Sequence, residues 1–104
     1  MKAGFLRVRV KIARVRQMVN SESEVEKLNL TKRELEILCL LPLGLSNDEI
    51  ANKLYISKGT LRWYLNNLYR KISAGSRSKA IFFANNHKDI INKMLMKFVS
   101  KNLL

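Results

Sequence analysis

Two kinds of chemistry can be sought among the side chains of this chain: transfer of protons or groups, and recognition of anions. The means for the first are scarce. One histidine, His87, and one cysteine, Cys39, occur in 104 residues. Neither a nucleophile with its base nor a His/Cys metal site can be assembled from them. The eight acids are Glu22, Glu24, Glu26, Glu34, Glu36, Asp48, Glu49 and Asp89. Three lie in the polar stretch SESEVEKLN. Glu34, Asp48 and Glu49 lie where helices open, and there a carboxylate meets the positive end of the helix dipole. Capping accounts for them without a reaction, so no enzyme, cofactor or metal is expected. Cys39, within the apolar run Ile37–Leu41, reads as a buried, inert thiol of a reducing compartment. His87 reads as a surface residue.

Anion recognition is far better equipped. Lys and Arg number 20 against 8 acids, giving a net charge of +12 and a pI near 10.3. A small domain this basic repels itself unless it meets a polyanion, so nucleic acid or an anionic membrane surface is the partner to consider. The bland alternative is charge retained for solubility. Distribution argues against it. No acid stands between Glu49 and Asp89, while Lys53, Lys58, Arg62, Arg70, Lys71, Arg77, Lys79 and Lys88 all do. Within that region SKGTLRWYLNNLYRKI places Leu61, Leu65, Leu68 and Ile72 on one helical face. Gly59, Arg62, Trp63, Asn66 and Arg70 then fall on the opposite face. Ser57, Thr60 and the free N–H groups of the first turn can donate to phosphate. Arg62 and Asn66 have the donors and acceptors to read base edges in a major groove.

The elements that must hold this face are marked by caps and breakers. Thr31-Lys32-Arg33-Glu34 and Ser46-Asn47-Asp48-Glu49 both have the capping-box form. They open helices with Leu35, Leu38, Cys39 and Leu41, and with Ile50, Ala51 and Leu54, turned inward. Pro42 and Gly44 separate the two. Tyr55-Ile56 forms a brief turn before Ser57 caps the helix over about 57–72. Ser76 can cap a further helix with Ala80, Ile81 and Ala84 on one side, and Ile90, Ile91, Met94, Leu95 and Phe98 mark a last one. Two helices joined by about three residues, the second polar on its outer face, is a helix-turn-helix arrangement. Upstream, Arg7–Ile12 alternates like a strand, but Phe5, Val8, Ile12, Val15 and Val19 recur at three and four, which favours helix. Residues 1–19 are basic and acid-free like a transit peptide, yet lack its serines. No apolar run reaches the length of a membrane span. The expected fold is all-α: a four-helix helix-turn-helix domain at 28–86, an upstream helical segment and linker at 1–27, and a C-terminal helical extension at 87–104.

From about Leu30 to Asn86 the chain resembles the LuxR-type (GerE-like) DNA-binding domain of bacterial transcription regulators. The resemblance is carried by Leu30-Thr31 with Arg33-Glu34, by Leu45-Ser46-Asn47 with Glu49-Ile50-Ala51, and by Leu54-Tyr55-Ile56-Ser57. It continues through Gly59-Thr60-Leu61, Tyr69-Arg70-Lys71-Ile72, and Ser76-Arg77 with Ala80. It implies a third helix that enters the major groove of double-stranded DNA, with Arg62, Trp63 and Asn66 base-facing. Phosphate-contacting places fall on Lys58, Thr60, Arg70, Lys71 and Arg77, beside Ser57. It also implies a homodimer on an inverted repeat through the fourth helix (Ala80, Ile81, Phe83, Ala84), with the C-terminal helix as a second surface. A bacterial cytoplasmic setting follows, and RNA polymerase stands open as a further partner. Two positions depart from the family: Ser73 replaces a usual glycine, with Ala74-Gly75 able to shift the turn, and Trp63 replaces a small residue. A sigma-factor promoter reader shares part of the pattern, though Tyr69–Ile72 and SRSKA favour the LuxR type. A protein-interaction module is the rival from another class, on the strength of Trp63, Phe82-Phe83 and the apolar C-terminus.

Overall fold

The computed structural model describes residues 21–103. The helix expected over Phe5–Val19 lies outside them. Among the described residues the chain forms α1 (Ser21–Glu26), α2 (Lys32–Leu40), a 3-10 turn (Leu41–Leu43), α3 (Asn47–Lys53), α4 (Lys58–Lys71), α5 (Arg77–Asn86) and α6 (Lys88–Leu103), and no strand. The all-α architecture is as the sequence predicts.

Local chemistry sets the boundaries. Thr31 Oγ1 accepts from Glu34 N at 3.1 Å while Thr31 N donates to Glu34 Oε1 at 3.3 Å. Ser46 and Glu49 repeat the exchange at 3.2 and 3.1 Å, and the Ser46 backbone N–H holds the Glu49 carboxyl below its ordinary pKa. Both capping boxes are therefore closed. Ser57 and Ser76 cap α4 and α5 by accepting from the third residue beyond. Pro42 opens the 3-10 turn and Gly44 ends it at φ 76°, a conformation that suits a residue without Cβ.

Helix α2 lies at the centre, touching α4, α5, α6 and the 3-10 turn. That position explains the first of two changes in its stripe. Ile37 is fully buried beside Leu35 and Leu38, because a helix packed on several sides buries more than a single face. Cys39 is only half-buried, with its Sγ 3.7 Å from Asn92 Oδ1. Burial pushes its thiol pKa up, helped by Glu36. Leu41, Ile50, Ala51, Leu54, Leu61, Leu65, Leu68 and Ile91 complete the core around α2.

The structure departs from expectation at α1, at α5 and at His87. SESEVEKLN, read as linker or helix end, contains the short helix α1, whose Val25 is buried. Its acids face lysines of α6: Glu22 lies 3.6 Å from Lys93 and 3.3 Å from Lys97, and Glu26 lies 3.6 Å from Lys97. Ala80 and Ala84 of α5 require a correction. Both are buried in the protomer's own core, so a second copy cannot reach them. The exposed apolar residue of α5 is Phe82, at 69%, flanked by half-buried Ile81 and Phe83. Phe83 stacks on His87 at 4.3 Å, and His87 Nδ1 lies 2.9 Å from the Phe83 carbonyl. His87 is thus half-buried rather than free on the surface.

After α4 the chain turns at Ser73, which itself takes φ 57°. Ala74 N then donates to Tyr69 O at 2.9 Å. The turn has not moved to Gly75; a serine bears the left-handed strain at the position where the resemblance places glycine. Ser73→Gly is expected to stabilise the domain by about 0.5–1 kcal/mol, the relief of strain exceeding the added entropy of the unfolded glycine. Urea denaturation with an unchanged m-value is the measurement, and equal or lower stability would contradict it.

Candidate nucleic-acid interface

Helix α4 is divided lengthwise. Leu61, Leu65 and Leu68 are buried and Ile72 half-buried, whereas Lys58, Gly59, Arg62, Trp63, Asn66 and Arg70 are exposed. The division follows from the sequence period, since a soluble helix sets its apolar stripe against the core. Helix α3 packs on α4, with the small side chain of Ala51 buried. In the turn between them Ile56 N donates to Ala51 O at 3.0 Å. Tyr55 occupies the turn at φ 57° and is almost fully exposed. Together α3 and α4 make a helix-turn-helix with its second helix facing outward.

The cations expected to contact phosphate are not equally free. Lys58 Nζ lies 2.7 Å from Asp48 Oδ1, an exposed pair linking α4 to α3. Arg70 donates to Asn67 Oδ1 at 2.7 Å. Arg77 donates to Asn47 Oδ1 at 2.7 Å and to the Leu45 carbonyl, bracing the start of α5 against the entry to α3. Ser57 and Thr60 hydroxyls bond each other at 2.9 Å as part of the cap.

Lys71 is the most committed. Its ammonium sits 2.7 Å from Glu34 Oε1 and 2.9 Å from the Asn29 carbonyl. The Glu34 side chain is only 2% exposed, and its Oε2 has no hydrogen-bond partner among the described residues. A carboxylate so buried needs its cation, because an unpaired charge there is strongly destabilising. Lys71 therefore secures the last turn of α4 to the cap of α2. By contrast, no ion pair or side-chain hydrogen bond among the described residues engages Arg62, Trp63 or Asn66. These three are brought together, uncommitted, on one exposed stripe.

No local pattern along the chain points to the Glu34–Lys71 and Asp48–Lys58 pairs. Each joins residues on different helices, and only the packing brings them together. Tyr55 was equally silent, since a bulky residue at positive φ is set by the turn rather than by its type.

A helix-turn-helix with an uncommitted polar stripe on its outer helix has the form of a DNA-binding domain, and the family match puts it in the transcription-regulator class. The chain belongs to the luxR family of bacterial regulatory proteins, whose GerE model matches residues 28–84. It is 43% identical over 65 residues to the CsgBAC operon transcriptional regulatory protein of Escherichia coli, covering 62% of this chain and 30% of that one. Over 66 residues it is 41% identical to the transcriptional regulatory protein LnrK of Bacillus subtilis, covering 60% and 30%. Over 76 residues it is 32% identical to the response regulator protein VraR of Staphylococcus aureus, covering 73% and 36%. The chain thus spans about a third of the length of the curated relatives it matches. No solved structure matches it. Among the described residues no helix is long and apolar enough to cross a membrane.

The ion pair separates two roles for Lys71. Lys71→Met should lower stability by about 1–3 kcal/mol, the cost of orphaning a buried partner, moderated by partial exposure. It should leave the slope of log affinity for DNA against log salt unchanged, as measured on duplex under folded conditions. A shallower slope with stability intact would mark a phosphate contact instead.

Proposed function

We propose that the outer face of α4 reads base edges in the major groove of double-stranded DNA. Arg62, Trp63 and Asn66 meet the bases; Ser57, Lys58, Thr60 and Arg70 meet the backbone. The observation that carries this reading is the stripe of exposed Arg62, Trp63 and Asn66 opposite a wholly buried leucine stripe on one 14-residue helix. A guanidinium can bond guanine O6 and N7 in pairs, and an amide can do the same to adenine N6 and N7. Lys58 reaches phosphate by exchanging its partner Asp48, an exposed pair worth little in water. Arg77 and Lys71 serve the scaffold, and they add positive potential rather than direct contacts. Residues 28–86 act as the DNA-binding unit, within a bacterial cytoplasmic regulator of transcription.

Binding as a dimer on an inverted repeat fits the same reading. Phe82, with Ile81 and Phe83 beside it, supplies the apolar surface on α5, replacing the buried alanines. RNA polymerase is the partner a bound activator would meet next.

Selection of duplexes from a random pool tests binding, symmetry and specificity together. A basic face of this kind should lose affinity steeply with salt, in line with roughly six to ten phosphate contacts per dimer. Salt-independent binding, or no selected sequence, would defeat the proposal. Arg62→Ala should cost about 1–3 kcal/mol at one base pair and relax preference there, while Arg70→Ala should weaken all sequences alike.

A further inference from the structure

We propose that Gly59 and Trp63 together form a site for a thymine methyl group, making Trp63 a specificity-determining residue of α4 beside Arg62 and Asn66. The inference rests on the groove-facing reading of this helix and names what that face selects.

Trp63 is 62% exposed and lies between Arg62 and Asn66 on the uncommitted stripe. Its ring has one aromatic neighbour among the described residues. It meets Tyr64 edge-on, with centroids 5.1 Å apart and planes at 73°, and Tyr64 is half-buried and packed against the core. That contact gives the indole a preferred side before any ligand arrives, which lowers part of the cost of ordering it. Helical side chains lean toward the N-terminus, which inclines the indole toward the turn that carries Gly59, with none of its atoms within 4 Å of a Cβ placed there.

Gly59 has no internal reason to be glycine. It has ordinary helical backbone, and a Cβ placed there would find nothing nearer than Ser57 Oγ at 3.9 Å. Glycine inside a helix is destabilising relative to alanine. The notch it leaves opens outward, useful only to a group approaching from outside the protein. Arg62 and Asn66 can answer the polar atoms of base edges, whereas the indole has a single N–H donor and an otherwise apolar face. In the major groove the apolar group on a base edge is the C5-methyl of thymine. A methyl seated in the Gly59 notch against the Trp63 ring uses both features at once.

The test uses the full chain and a duplex selected from a random pool. Each thymine of that duplex is replaced in turn by deoxyuridine, which removes the methyl and nothing else. One position in each half-site should weaken binding about fourfold, the effect of leaving a single buried methyl unburied. Trp63→Ala should bind the thymine and deoxyuridine duplexes alike at that position. Gly59→Ala should raise Tm yet blunt the same discrimination, which separates a recognition role from a folding one. If the wild type selects a sequence but ignores every deoxyuridine, the methyl site is overturned while base reading by α4 stands. If Trp63→Ala keeps the thymine preference, the assignment to Trp63 is overturned. If no sequence is selected at all, the groove-facing reading fails and the inference falls with it.

Discussion

The buried carboxylate of Glu34 ties the geometry of the reading head to the scaffold. One oxygen closes the cap of α2 on the Thr31 backbone and hydroxyl. The same oxygen receives Lys71 from the last turn of α4, and Lys71 also holds the Asn29 carbonyl. The start of the central helix, the chain entering it and the far end of the outward helix are thus joined at one point. Such a pair adds little net stability compared with an apolar filling. What it supplies is orientation: leucine packing is tolerant of small rotations, whereas a 2.7 Å charged hydrogen bond is not.

That constraint has a consequence for charge. The run from Lys53 to Lys88 reads in sequence as an unbroken basic face. Folding divides it into cations spent on the protein and cations left for a partner. Lys71 and Arg77 brace helices, Lys58 is shared with Asp48, and Arg70 leans on Asn67. Lys53, Lys79, Lys88 and Arg62 keep no partner among the described residues, and of these only Arg62 stands with Trp63 and Asn66 on the outer stripe of α4. A net charge of +12 can draw a polyanion in at long range, but specificity depends on this much smaller set.

Helix α6 extends beyond the family match and is fitted to the domain by both charge and apolar contact. Ile91 is buried against the core, and Lys93 and Lys97 take up the acids of α1. Helix α1 packs on α6, and α6 in turn packs on the central α2. They enlarge the core of a small domain, where each buried side chain matters.

Much of this was determined by the sequence alone, because it depends on neighbours along the chain. Thr31 with Glu34 and Ser46 with Glu49 must cap where they stand, since their partners are three residues away. The 4–3–4 leucine spacing of α4 dictates which side faces inward, and so which side is bare. Other features were decided only by tertiary structure, because they join residues distant in the chain. The burial of Glu34 and its capture of Lys71 belong to this group, as do the inward turn of Ala80 and Ala84. So do the burial of Ile37 on a helix surrounded by others and the service of α1 acids to α6 lysines. Local rules place a side chain on a face; only the assembled helices decide what that face meets.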